Sequence, residues 1–377
     1  MSTALDADAA SPPQRAPGFP ATLLALVERG APDDDVSYAG MLLERALSEL
    51  APRCRTITVF PDQFGGADAT FIQRGLFSAR LIAAGRRADC VVYNHLGIAT
   101  AQASLPSGMR RPYAILVHGA ESWDLGIDAG RRRALSEATL RIASSAYAAR
   151  RIVEAHPDVA APEVLPLALL PELDASPVDG ALVSSMTPRT IVIASRMNVV
   201  DRYKGHDELL DAWPTILARR PDARLALIGQ GDDVKRLEAK ANGLGLTGSV
   251  RFTGEVSEAT LDAVLARAGG FALPSRAEGF GLSFLRAMRA GVPCIAGADD
   301  AAREVVEDGV TGMLVPAADR GGDALAQAVI SLLGDTVRRR VMGEAGRARH
   351  DEHFTFAMFR DRLDAMLRRA FPPRAPG

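Results

Sequence analysis

The segment Ser275-Arg276-Ala277-Glu278-Gly279-Phe280-Gly281-Leu282-Ser283-Phe284-Leu285-Arg286-Ala287-Met288 sets the frame for everything around it. Gly270 to Pro274, just before it, is a short apolar run without polar alternation. That is the pattern of a strand buried on both faces in a parallel sheet. A helical period follows, with Leu282, Leu285 and Met288 on one face. Between the two lies a polar turn carrying Glu278, Gly279 and Gly281. A helix start offers unpartnered N–H groups, and glycines let a ligand come close to the backbone. Strand end, glycine turn and helix start together can hold phosphate or sugar oxygens at the carboxyl edge of a parallel sheet. Glycines at such turns also serve packing alone, so the turn needs company before it means a site.

The same rhythm runs through the chain. In the first half, Thr22–Val27, Thr56–Phe60, Cys90–Tyr93, Tyr113–Val117 and Leu140–Ala143 read as strands, with Val164–Leu167 leading out. Helical patterns lie at Tyr38–Leu50, Phe71–Ala84, Arg131–Glu137 and Tyr147–Ala155. Strands separated by helices imply a parallel sheet with right-handed crossovers. Residues Pro162 to Pro188 are rich in Pro, Ser and Ala and lack a long period, as expected of a hinge. The pattern then restarts with strands Thr190–Ala194, Ala223–Ile228, Ser249–Thr253, Phe271–Leu273 and Cys294–Ala296. Helices are predicted at Asp207–Ala218, Asp233–Ala241, Glu258–Arg267, Gly322–Leu333 and Arg338–His350. The expected fold is α/β: two doubly wound, Rossmann-like domains that face each other across a cleft.

Composition sets bounds. A chain of 377 residues is long for one core, and 47% hydrophobic with 24% charged residues is ordinary for a globular protein. A formal charge of −2 argues against a nucleic-acid partner, which calls for a basic excess. Cys54, Cys90 and Cys294 have no paired or metal-like spacing, and Cys90 and Cys294 sit in apolar runs, so they read as packing residues in a reducing compartment. Residues 1–17 form an acidic, Pro-rich stretch without an apolar core, expected to be a disordered tail and not a leader. No apolar run approaches the length of a membrane helix. Phe71, Leu76, Phe77, Leu81 and Ile82, near Arg74, Arg80, Arg86 and Arg87, read either as a core face with solvated arginines or as a membrane-surface helix.

Glu278-Gly-Phe-Gly-Leu282, then Ala287-Met288-x-Ala-Gly-x-Pro293, then Glu304-Val-Val-x-Asp-Gly-x-Thr-Gly312 resembles the signature of retaining glycosyltransferases of the GT-B fold, family 4-like (group 1). The resemblance covers Thr190 to Phe354 and, more weakly, the first half. It implies a first, acceptor-side domain over residues 18–175, a second, nucleotide-sugar-binding domain over 176–354, and a last helix over 355–371 crossing back onto the first. It also implies transfer of a hexose from GDP-mannose or a UDP-hexose, without metal or cofactor, to a saccharide or lipid-linked acceptor. The setting would be exopolysaccharide or glycolipid assembly in the cytoplasm, with room for peripheral contact with a membrane's inner face.

Site residues follow from the same resemblance. In Ser195-Arg196-Met-Asn-Val-Val-Asp201-Arg202-Tyr203-Lys204-Gly205-His206, an arginine and the Lys-Gly pair would clasp the donor's diphosphate. Fixed cations stabilise the charge that develops on a departing diphosphate. Arg196, nearest the strand end, is preferred over Arg202. Glu278 and His118, the latter at the end of Tyr113–Val117, would contact the transferred sugar, and Glu121 and Asp124 would stand near donor or acceptor. Gly229, Gly231 and Val256 would border base and ribose, and Gly279, Phe280, Gly281 and Leu282 the diphosphate. Where the family has a second glutamate, about two helical turns after the first, this chain has Arg286. A carboxylate accepts ribose hydroxyl bonds and a guanidinium only donates. Three readings stay open: Arg286 donates to ribose oxygens, it pairs with a phosphate, or donor binding is lost. The last would make the chain a non-catalytic binding protein, and an epimerase on the same fold is a further alternative. Asp33, Asp34 and Asp35 replace the family's usual glycines in the acceptor loop, and Asp300-Ala301 replaces a frequent Gly-Gly. Glu304 is read as ordering the following helix start or reaching the donor.

Overall fold

The computed structural model describes residues 19–27, 35–51, 54–59, 71–119, 128–171, 176–316 and 323–372. Six strands, β1 (Thr22–Val27), β2 (Arg55–Val59), β3 (Cys90–Tyr93), β4 (Tyr113–Val117), β5 (Leu140–Ala143) and β6 (Glu163–Val164), form one sheet in the order β2-β1-β3-β4-β5-β6. Six more, β7 (Thr190–Ala194), β8 (Arg224–Ile228), β9 (Val250–Gly254), β10 (Gly270–Leu273), β11 (Cys294–Gly297) and β12 (Gly312–Val315), form a second in the order β12-β11-β10-β7-β8-β9. Every strand pair is parallel. Helices cover the sheets, so β3, β4, β7 and β10 are buried along their whole length. In the second sheet the order reverses between β7 and β10, where the loops leaving the two strands part in opposite directions. A crevice opens at such a point, and Arg196, Lys204 and Glu278 follow those two strands.

Four elements differ from expectation. Helix Leu96–Ser104 has no polar face because it is buried nearly all round, which removes the period that would have revealed it. β12 follows the Asp308-Gly309 turn at the sheet edge, and its burial alternates only weakly. A short helix, Gly180–Ser185, interrupts the predicted hinge, capped by Asp179, which accepts from Ala181 N and Leu182 N. The strand expected at Val164–Leu167 is the shorter pair Glu163–Val164.

Helix Phe356–Ala370 lies against the first domain. Arg360 pairs with Glu49 at 3.0 Å, the Arg368 guanidinium stands 5.3 Å from the centre of the Phe19 ring, and Phe359, Leu363 and Leu367 are buried beneath. In helix Phe71–Gly85, Phe77 and Leu81 are buried, whereas Leu76 and Arg80, and Arg86 and Arg87 in the turn after it, face solvent. That is a core face with solvated arginines. Among the described residues no helix is long and apolar enough to cross a membrane. The three cysteines are free, and burial pushes the thiols of Cys54 and Cys90 up to about 11 and about 12, which leaves them inert packing groups. Residues 1–17, Asp33, Asp34, Glu121 and Asp124 lie outside the described residues.

Candidate active site

After β7 the chain turns through Ser195 and Arg196 into a 3-10 helix, Val199–Lys204. Gly205 then takes a left-handed conformation (φ 94°) and opens helix His206–Arg219. This bend delivers Lys204 to the turn after β10, where its Nζ donates to Glu278 Oε1 at 2.6 Å. The two side chains are 12% and 3% exposed, so each charge has the other as a close partner away from bulk water. Below them, the fully buried Asp300 accepts from Ser275 Oγ and Glu278 N, both at 2.8 Å, and from Ala302 N at 3.0 Å. Burial pushes the Asp300 carboxyl up to about 6, against the pull of those three donors. His206, with Nε2 3.2 Å from Ser195 Oγ, is driven down to about 4 by burial and is neutral at pH 7.

A pocket opens on this clasp. Ser195, Arg196, Lys204, Gly229, Val256, Leu282 and Arg286 line it from the second domain, and Tyr38 and Leu169 close it from the other side. Gly231 borders an adjoining groove that shares Arg196 and Gly229. Arg196 stands 3.5 Å from Asp201 and is 43% exposed. Arg202 instead makes two bonds to Asp233, at 2.8 and 2.7 Å, within a network that includes Arg236 and Asp207. Of the two arginines, Arg196 is the one on the pocket wall. Gly229 (φ 130°) is required by close approach, since a Cβ there would stand 2.2 Å from the Ser195 carbonyl.

His118 and Gly279 meet at the seam between the domains, and neither they nor Glu278, Phe280 and Gly281 line that pocket. A Cβ on Gly279 would lie 2.4 Å from the His118 carbonyl oxygen, so only glycine lets the two backbones touch. Ser144 Oγ and Ser145 Oγ donate to Gly279 O at 3.2 and 2.7 Å. His118 is buried, with Nε2 2.6 Å from Asn94 O, so that nitrogen carries the proton. Phe280 packs its ring edge-on to Phe354, with centroids 6.0 Å apart, and Gly281 (φ 104°) begins helix Leu282–Arg289. Glu304 does something the sequence reading did not foresee. Its two carboxylate oxygens accept from Ala146 N at 2.8 Å and Tyr147 N at 2.6 Å, capping helix Ala146–Ala155 of the opposite domain.

Arg286 is buried, and its guanidinium goes to carboxylates of the neighbouring helix, Glu258–Leu265. It pairs with Glu258 and, at 3.5 Å, with Asp262, which also binds Arg289 at 2.8 Å. Glu258, like Arg286, lines the pocket. Asp300, Glu304 and Glu258 are thus the acidic residues whose placement sequence reasoning missed. Only the Ser144-Ser145 pair ahead of Ala146, a capping pattern, hinted at the seam.

Two parallel-sheet domains, with a cation-bearing loop and a glycine turn converging on the crevice between them, define the GT-B architecture of glycosyltransferases. Residues 182–349, within the second domain, match the family described as Glycosyl transferases group 1. Among curated relatives, a GDP-mannose-dependent monoacylated alpha-(1-6)-phosphatidylinositol monomannoside mannosyltransferase of Corynebacterium glutamicum is 36% identical over 188 residues, covering 48% of each chain. A GDP-mannose-dependent alpha-(1-6)-phosphatidylinositol monomannoside mannosyltransferase of Mycolicibacterium smegmatis is 40% identical over 151 residues, 38% of this chain and 39% of the relative. These matches span about half the relatives' length or less. Among solved structures, Anabaena HepE with UDP and glucose superposes with a TM-score of 0.73 at 19% identity, over 92% of this chain and 99% of that one. Sucrose-phosphate synthase from Thermosynechococcus elongatus gives 0.73 at 22% identity, over 93% and 99%. These likenesses concern the fold.

Proposed function

We propose that this chain is a retaining hexosyltransferase that moves a sugar from a nucleotide diphosphate donor to a saccharide or lipid-linked acceptor. The observation that carries the reading is that Arg196 and Lys204, the latter paired with the buried Glu278, line one pocket closed by both domains. As the bond between anomeric carbon and phosphate oxygen stretches, negative charge gathers on the diphosphate. Arg196, Lys204 and the backbone N–H groups at the start of Leu282–Arg289 are fixed in advance to receive it. Glu278, held by Lys204 and by the Asp300 shelf, orients the sugar hydroxyls, and His118 of the opposite domain braces the turn at Gly279. The acceptor hydroxyl attacks on the face the phosphate is leaving and passes its proton to a phosphate oxygen, so the anomeric configuration is kept. Protein cations take the charge, with no metal required. The names of the relatives favour GDP-mannose over UDP-glucose as donor, and a glycolipid acceptor reached from the membrane's inner face.

Calorimetry of the full chain against GDP-mannose, GDP, UDP-glucose and UDP tests the donor reading, and binding of at least one is expected. Release of nucleoside diphosphate with an acceptor panel tests transfer, and the proton spectrum of the product reports retention. The rate is expected to survive EDTA. A chain that binds donor but never releases diphosphate with any acceptor would instead be a binding protein, the alternative that Arg286 motivates.

A further inference from the structure

The pocket has two chemically distinct stretches. Along the second sheet the strand order β10-β7-β8-β9 places, in turn, Glu278, Arg196, Gly229 and Glu255 with Glu258 at the carboxyl edge. Three strand spacings make this edge about 14 Å long. The cations Arg196 and Lys204 serve the β10–β7 side. Beyond β9 the walls carry carboxylates, Glu255 and Glu258, and a guanidinium already engaged by Glu258 and Asp262. A region whose positive charge is taken up by carboxylates is poorly suited to phosphate and well suited to hydroxyl donors. Glu258 is 39% exposed, and a carboxylate has about four lone-pair sites, of which one ion pair uses at most two.

We propose that Glu258 is the residue that accepts the hydroxyl hydrogen bonds of the donor's ribose, and that Arg286 is a positioning residue that turns Glu258 toward the pocket. The assignment rests on the nucleotide-donor reading above. It gives Arg286 a constructive part: a guanidinium that reaches the nucleoside through the carboxylate it holds. Removing Arg286 leaves Glu258 beside the like charge of Asp262 with one fewer cation, and the carboxylate swings out to water.

The test is calorimetry of the full chain with GDP and UDP, each paired with its 3′-deoxy and 2′-deoxy counterpart. In the unaltered protein, loss of a ribose hydroxyl is expected to weaken binding about tenfold or more, as for a hydrogen bond to a charged group. Glu258→Gln is expected to bind the parent nucleotide about tenfold more weakly and to discriminate less than about twofold between parent and deoxy forms. Arg286→Met, with Glu258 intact and an unchanged melting temperature, is expected to lose the same discrimination, and Arg286→Lys to recover part of it. If Glu258→Gln keeps the full preference for ribose, this assignment is wrong while the donor reading stands. If neither nucleotide binds the unaltered protein, both fall.

Discussion

On the proposed reading, the Lys204–Glu278 contact serves stability and chemistry together. Each is the other's counter-charge, with Glu278 3% exposed, so Lys204→Ala strands a buried carboxylate. The expected cost is about 3–5 kcal/mol, together with a fall in turnover by orders of magnitude. The double variant Lys204→Met with Glu278→Gln should recover most of the melting temperature and none of the activity. Thermal scans beside a diphosphate-release assay check this, and equal destabilisation in single and double variants would remove the pairing argument. Asp300 adds a pH dependence. Its carboxyl is raised from 3.8 to about 6 in the folded chain, so its favourable share of stability is complete below about pH 4 and is lost as pH rises through 6. The ionised form accepts from Ser275 Oγ, Glu278 N and Ala302 N in charge-assisted bonds, and protonation weakens all three. The kcat/KM profile should therefore fall on the acid side near pH 6. Asp300→Asn, with an amide donor facing a backbone N–H, should stay at the low-pH level throughout. Lys204 and Glu278 were legible from residue type and neighbouring glycines. Asp300 was legible only as a departure from Gly-Gly, because three donors converging on it come from a turn and a helix start that are separate in the chain.

The start of helix Ala146–Ala155 lies where the domains meet. Ser145 accepts from Ala148 N and donates to Gly279 O, while Glu304 takes the N–H groups of Ala146 and Tyr147. A carboxylate at a helix start satisfies orphan donors and complements the helix dipole, worth about 0.5–2 kcal/mol. Glu304→Ala should speed hydrogen exchange at Ala146 and Tyr147 selectively and enlarge the radius of gyration in small-angle scattering. Unchanged protection at those two amides would show that the cap does not hold the domains together. Strand boundaries here were largely readable, since continuous apolar runs such as Tyr113–Val117 and Thr190–Ala194 have one good use in a parallel sheet. Helix Leu96–Ser104 was not readable, because burial on nearly every side erases periodicity.

The two domains are joined by the seam and by helix Phe356–Ala370, which returns to the first domain. Its hold comes from apolar burial more than from charge. Arg360→Ala, breaking a part-buried pair with Glu49 whose guanidinium also binds the exposed Asp361, should change stability by about 1 kcal/mol. Leu363→Ala, at a fully buried position, should cost about 2–5 kcal/mol in urea unfolding. A reversed order of those two effects would contradict this account of the docking. The arrangement of two sheets was foreseeable because hydrophobic runs, turn glycines and helical periods are local signals that each segment carries with it. So was the position of Arg196, Lys204 and Glu278 in the turns that follow β7 and β10. Which partner each charge would find was not foreseeable. Arg202 went to Asp233, Arg286 to Glu258, and Glu304 to the opposite domain. Those pairings depend on distances between segments far apart in the chain, and such distances exist only once both sheets have formed and packed.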